Sequence, residues 1–166
     1  MAYQITYYTP APFDDMRLIS DGKVLTGLYF VGSSDEQKHP HDGIEADISV
    51  FQETCRWLDI YFSGRQPDFT PAFCTNDLTP FRKDVQEMML AIPYGETMTY
   101  GEVAQRLASK RGIDKMSSQA VGGAVGWNPI CLIIPCHRVI GTNGKMTGYG
   151  GGIKNKQALL EMEIKL

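Results

Sequence analysis

The spacing of apolar and polar positions changes along the 166 residues, and the change of period divides the chain. Tyr3 to Tyr8 and Lys23 to Val31 are rich in β-branched and aromatic residues, with Met16 to Ser20 a shorter run between them. Each predicts a strand. Ser20-Asp21-Gly22 predicts a hairpin turn between the last two, glycine supplying the positive φ. The polar stretch Ser33 to Gly43 predicts a loop. From Ile48 onward the period becomes helical. Ile48, Phe51, Cys55, Leu58 and Phe62 fall on one face, Asp47 is the candidate cap and Ser63-Gly64 the stop. Cys55 on that face reads as core, and nothing in this part carries a catalytic pattern. The stretch from Pro67 to Pro80 has prolines and no periodicity, and so predicts a linker between a domain over residues 1–75 and another over 76–166.

Beyond the linker every strong pattern is helical. Thr79-Pro80 opens a helix whose buried stripe is Phe81, Val85, Met88, Met89 and Ile92, stopped by Pro93-Tyr94-Gly95. Thr99-Tyr100-Gly101-Glu102 has the form of a capping box and predicts a second helix through Leu107, with Val103, Ala104, Leu107 and Ala108 inward. After a turn containing Gly112, a third helix starts at Ser117 or Ser118 and runs to about Gly126. Gly122 and Gly123 lie inside it, and each costs roughly 1 kcal/mol against alanine in a helix interior. Such glycines predict close approach of another backbone, protein or nucleic acid. Two short helices joined by a tight turn form a helix-turn-helix pattern whose second helix would face DNA. The expected fold is a small α/β N-terminal unit, sheet plus helix, packed on a mainly helical, winged-helix-like C-terminal domain.

The net charge of −3 argues weakly against a nucleic-acid partner until it is divided. Residues 1–75 carry 5 basic and 11 acidic side chains, a net of −6, whereas residues 76–166 carry 11 basic and 8 acidic, a net of +3. Any polyanion contact therefore belongs to the C-terminal half, with modest, salt-sensitive affinity. No apolar run reaches membrane-spanning length, and the N-terminus lacks a secretory pattern. The four cysteines, Cys55, Cys74, Cys131 and Cys136, are accordingly expected to be reduced in a cytoplasmic protein. His39 and His41 have no zinc-ligand spacing around them and read as loop residues.

The chemistry concentrates where the apolar run Ile130-Cys131-Leu132-Ile133-Ile134, a predicted interior strand, meets Pro135, Cys136 and His137. Proline ends the strand, so Cys136 turns out of the core beside an imidazole, a place suited to a thiolate nucleophile. Adjacent residues of a strand or helix face different ways, so a turn or a bridging water must connect thiol and ring. A Cys-His pair alone is equally compatible with a buried, inert thiol. In the last helix, Glu163 shares a face with Leu159 and Leu160, and a carboxylate on an apolar face needs a partner. Glu161 points away.

Pro135-Cys136-His137-Arg138-Val139, followed by Gly141, Gly148-Tyr149-Gly150-Gly151-Gly152 and the Leu159-Leu160 helix, resembles the O6-alkylguanine-DNA alkyltransferases. The resemblance is close over residues 77–166 and loose over the first 75. It implies a single-turnover transfer of the alkyl group from O6-alkylguanine in double-stranded DNA to Cys136, by a monomer with no cofactor and no metal. His137 would take the thiol proton and Glu163 would orient the imidazole. Tyr100 would protonate the departing guanine, which must leave the stack to be reached. Asn128 matches the hinge asparagine between the recognition helix and the active-site turn. The glycine-rich segment would wall the guanine pocket: Tyr149 against the base, the Gly150 N–H toward O6, and the Cys136 and Val139 carbonyls toward the exocyclic amine. Arg138 and Lys156 are expected in structural or phosphate-near roles. One position departs from the pattern. Gln119 stands where the family usually has the arginine that fills the gap left by the extruded base, and Gln lacks its charge and plane. A damage-binding protein without transfer and a cysteine hydrolase are the competing classes.

Overall fold

Strands β1 (Ala2–Tyr7), β2 (Met16–Ser20) and β3 (Leu25–Phe30) form an antiparallel meander. The β2–β3 turn forms because Asp21 Oδ1 accepts from the Lys23 and Val24 amides while Gly22 takes φ +105°. The computed structural model describes residues 1–76, 78–146 and 148–164; Asp77 of the linker and Thr147 of the glycine-rich segment lie outside these, as do residues 165 and 166.

The stretch expected as a loop, Ser33 to Gly43, instead contains α1 (Ser34–Lys38) and opens β4 (Gly43–Glu45), which pairs parallel to β1 and completes the sheet order β3-β2-β1-β4. A capped single turn has no apolar period to announce it: Ser33 Oγ accepts from the Glu36 amide at 3.3 Å. Helix α2 (Ser49–Tyr61) follows. Its N-cap is Ile48, without a side-chain cap, and Asp47 instead accepts from Gln52 Nε2 at 3.0 Å. Phe51, Trp57, Leu58 and Tyr61 are buried, and Cys55 is half-buried at the margin of this face.

The linker lies against the sheet. Leu25 N donates to Ala72 O and Cys74 N to Leu25 O, so Phe73 makes a single parallel bridge on the outer edge of β3. Cys74 Sγ also reaches Asn76 Oδ1 at 2.9 Å. Further along that edge Ile130 bridges Leu28. Two short segments thus cover a strand edge that would otherwise present unpaired backbone groups.

Helix α3 (Pro80–Leu90) is capped by Thr79, whose hydroxyl accepts from Arg82 N. Strand β5 (Met98–Thr99) leads into α4 (Tyr100–Arg111), capped by Thr99 and ended by Gly112 in the left-handed region at φ +66°. The helix runs a turn past Leu107 because nothing between there and Gly112 stops it. Helix α5 (Ser118–Val125), capped by Ser117, completes the helix-turn-helix. Strand β6 (Val139–Ile140) pairs parallel to β5, and α6 (Ile153–Ile164) closes the chain. Buried side chains of both halves, from Met16 to Leu159, make one contiguous cluster. Among the described residues no helix is long and apolar enough to cross a membrane.

Candidate active site

The expected strand at Ile130 to Ile134 does not form beyond its first residue. Leu132 takes φ +69°, Ile133 N donates to Cys131 O and Ile134 N to Ile130 O, so the run folds into a buried turn. Asn128 explains why. Its buried amide donates from Nδ2 to the carbonyls of Ile130 (3.2 Å) and Ile134 (2.8 Å), while Oδ1 accepts from Ile130 N (3.0 Å). A side chain that satisfies three turn groups competes directly with a strand ladder. The turn delivers Cys136 to the first position of a 3₁₀ turn, Cys136–Arg138, with its side chain buried.

His137 follows and points into the protein. Its Nε2 lies 2.6 Å from Glu163 Oε2, and both residues are buried. Arg138 grips the same carboxylate, Nε to Oε1 at 2.7 Å and Nη2 to Oε2 at 3.2 Å, and donates from Nη1 to Ile92 O at 2.8 Å. Gly95 N adds a bond to Oε1, and Tyr61 Oη donates to Oε2 at 2.5 Å. Burial opposes ionisation of Glu163, but the hydrogen bonds and charges of His137 and Arg138 outweigh it and hold the carboxyl well below its usual range. An ionised carboxylate only accepts, so His137 Nε2 carries the proton and Nδ1 is the basic atom. Burial, outweighing Glu163, pulls the His137 pKa below its ordinary value and keeps the ring neutral. Nδ1 is buried and has no hydrogen-bond partner among the described residues.

Three polar groups converge on the Cys136 sulfur. The Cys131 thiol contributes most to lowering its pKa and burial opposes; Asn128 and Tyr149 lower it further, whereas the Asp35 charge raises it. Tyr149 Oη is 3.9 Å from Sγ. Cys131 moves the other way, pushed well up by its hydrogen bond with Cys136 and by burial. Asp35, a buried residue of α1, approaches Cys131 Sγ at 3.5 Å and docks the glycine-rich segment, its amide donating to Gly150 O at 3.0 Å. Ser34 Oγ donates to the same carbonyl. A side chain on Gly150 would fall on the Asp35 carboxylate, so glycine there is a packing requirement. Lys156, wholly buried, donates from Nζ to Val139 O at 2.7 Å and lies over the rings of Tyr100 (5.8 Å) and Tyr149 (5.7 Å).

Tyr100, Gln119 and Gly122 border a second, open space. With Gly101, Ser118, Gly141, Thr142, Lys145 and Gly148 they line a cleft of about 620 Å³ between the helix-turn-helix and the glycine-rich segment. A Cβ at Gly122 would meet only the Tyr100 ring, at 3.9 Å, and one at Gly123 would meet nothing within 4 Å. No protein backbone therefore crowds these glycines, and Gly123 and Gln119 are exposed. The candidate residues thus form two groups, a buried thiol–imidazole–carboxylate cluster and an exposed helix face, with Lys156 contacting aromatic rings of both. Arg138 and Lys156, expected in structural or phosphate-near roles, are buried. Tyr61 and Asp35, both from the half with no catalytic pattern, escape sequence reasoning. For Tyr61 the available signal is a hydroxyl on the buried face of α2.

Two family models match the chain: the ribonuclease-like domain of 6-O-methylguanine DNA methyltransferase over residues 4–73 and its DNA binding domain over residues 80–165. The methylated-DNA–protein-cysteine methyltransferase of Mycobacterium tuberculosis is 40% identical over 153 residues, covering 92% of this chain and 88% of the relative. That of Haemophilus influenzae is 36% identical, covering 98% and 87%. The crystal structure of Mycobacterium tuberculosis OGT in complex with DNA matches with a TM-score of 0.80 at 37% identity, covering 98% of this chain and 92% of that one.

Proposed function

Because the chain belongs to the 6-O-methylguanine DNA methyltransferase family, and is a DNA-binding methylated-DNA–protein-cysteine methyltransferase that repairs DNA by alkyl transfer, we propose that its acceptor is Cys136 and that His137, Glu163 and Tyr100 drive the transfer. The substrate is O6-alkylguanine, chiefly O6-methylguanine, in double-stranded DNA, and the protein acts as a monomer. The observation that carries the assignment is the buried chain of contacts behind Cys136: a neutral imidazole, its Nε2–H fixed by an ionised Glu163, its Nδ1 left as base.

DNA lies across α4 and α5, with Gln119 entering the stack and Gly122 and Gly123 admitting the backbone. The alkylated guanine rotates out toward the glycine-rich segment, against Tyr149, with the Gly150 N–H toward O6. Val139 O, which already accepts from Lys156, keeps a second lone pair for the exocyclic amine. The thiol proton passes through one water to His137 Nδ1, and Glu163 stabilises the imidazolium. The thiolate then attacks the alkyl carbon: the C–S bond forms, the C–O6 bond breaks, and its electron pair stays on the guanine. Tyr100 donates its phenolic proton to N3, so the base leaves neutral. The product is a thioether on Cys136, whose C–S bond a neutral thiol does not break, so each chain reacts once.

Intact mass after one equivalent of O6-methylguanine duplex, with peptide mapping, tests this. One added methyl on Cys136, saturating at one per chain, is expected. Tight binding without an adduct would instead support a damage-binding protein.

A further inference from the structure

Glu163 Oε2 serves three donors, Arg138 Nη2 at 3.2 Å and two nearer ones at nearly equal distance, His137 Nε2 at 2.6 Å and Tyr61 Oη at 2.5 Å. Tyr61 belongs to α2, in the N-terminal half, and is wholly buried. Its ring stacks on Trp57 at 5.2 Å and meets Tyr94 edge-on, and its hydroxyl is 3.4 Å from His137 Nε2. We propose that Tyr61 is a positioning residue for alkyl transfer: its hydroxyl shares one carboxylate oxygen with the imidazole, and so sets both the place of Glu163 and how strongly Glu163 holds His137. The proposal rests on Cys136 as acceptor and His137 as base.

Hydrogen bonds to one oxygen compete for its charge. Each additional donor lowers the strength with which that oxygen attracts the others. The groups facing His137 are Glu163 and Lys156 from α6, Tyr61 from α2, Arg138 and Cys136 from its own turn, and Tyr94 from the loop after α3, next to Tyr61 and Arg138. Glu163 favours the imidazolium, while Arg138 and Lys156 oppose it. Tyr61 keeps its proton, because burial and the Glu163 charge hold its pKa well above the ordinary phenol value. It is therefore a permanent donor that moderates the carboxylate holding protonated His137. Without it, Glu163 would hold the imidazolium more tightly, and His137 would stay protonated, and useless as a base, to higher pH.

The test is the pH dependence of single-turnover alkylation of Cys136 by O6-methylguanine duplex, in the full chain, for wild type and Tyr61→Phe. Phenylalanine retains the ring contacts and removes only the hydroxyl. The acid limb of the rate profile is expected to move upward by about one pH unit, making the variant roughly tenfold slower on that limb and close to wild type above it. A purely structural role would slow transfer equally at all pH values. A variant profile that superimposes on wild type after scaling overturns the proposal. Should Tyr61→Phe not fold, 3-fluorotyrosine at position 61, a stronger donor of nearly the same size, is expected to move the limb to lower pH, and an unmoved limb overturns the proposal. Failure of the underlying assignment reads out separately, as wild type that gains no methyl on Cys136 or as His137→Ala that reacts at the wild-type rate.

Discussion

Replacing Glu163 by glutamine separates its two tasks, orienting His137 and neutralising Arg138. The carboxylate accepts from His137, Tyr61, Arg138 and Gly95, and the pair it forms with Arg138 is almost wholly excluded from water. Glutamine keeps the shape but has one acceptor oxygen, and its NH₂ must face donors already in place. Removing one partner of a buried ion pair costs about 3–5 kcal/mol, a large part of the ~5–15 kcal/mol that holds a domain folded. For Glu163→Gln the loss should appear as a lower urea midpoint with little change in slope. The rate should fall further than the stability explains. A neutral amide neither fixes the Nε2–H tautomer nor stabilises the imidazolium, and the analogous change in serine-protease triads lowers the rate about 10⁴-fold. A loss of at least ~10²-fold in single-turnover alkylation is expected, measured where circular dichroism shows the variant folded.

Arg138→Leu, added to Glu163→Gln, tells the two apart. The second change removes the stranded guanidinium, so stability should recover in part, the Ile92 carbonyl remaining without its donor. The rate should not recover, because His137 is still without its carboxylate. A folded Glu163→Gln chain that alkylates Cys136 within about threefold of wild type would refute the orienting role. Joint recovery of rate and stability in the double variant would reduce Glu163 to a structural residue.

Gln119→Arg should tighten binding to alkylated duplex and steepen its salt dependence, since a cation is added to an exposed position of α5. Unchanged affinity in a salt-dependent binding titration would count against α5 as the DNA face. Asn128→Ala removes three hydrogen bonds from the active-site turn and takes the acceptor from the buried Ile130 N–H, while the Ile130 and Ile134 carbonyls keep the Ile134 and Cys136 amides as donors, a loss of about 3 kcal/mol. A urea denaturation difference below about 1 kcal/mol would show that the turn holds without it. Stability itself should fall with acid in two stages. His137 has its pKa lowered in the folded chain, so the unfolded chain binds that proton first, and stability drops as pH falls below about 6.5. Glu163 is also lowered, so its contribution, complete above the ordinary carboxyl range, is lost only below about 4.5. Urea midpoints from pH 8 down to about pH 2 check both, and His137→Gln should abolish the first stage alone.

Most elements built on local signals were legible in the sequence, the short α1 and the cap of α2 excepted; those built on distant partners were not. Thr79 and Thr99 cap the helices they were expected to open, and the third helix, expected from Ser117 or Ser118, starts at Ser118 with Ser117 as its cap. The run from Ile130 to Ile134 misled, since burial on every side is common to an interior strand and a buried turn, and the deciding amide of Asn128 lies outside the run. Glu163 could be singled out because a carboxylate on an apolar helix face must be answered by a donor, but the pattern cannot name the donors. They are His137 and Arg138 from a turn some 25 residues earlier and Tyr61 from 102 residues away. The same reason hides Asp35, whose backbone pins Gly150 from 115 residues upstream. Motif and chemistry are written in consecutive residues, whereas the side chains that tune the motif are written in the packing of two halves. The N-terminal unit shows no catalytic pattern because what it brings to the candidate site is the single residues Tyr61 and Asp35.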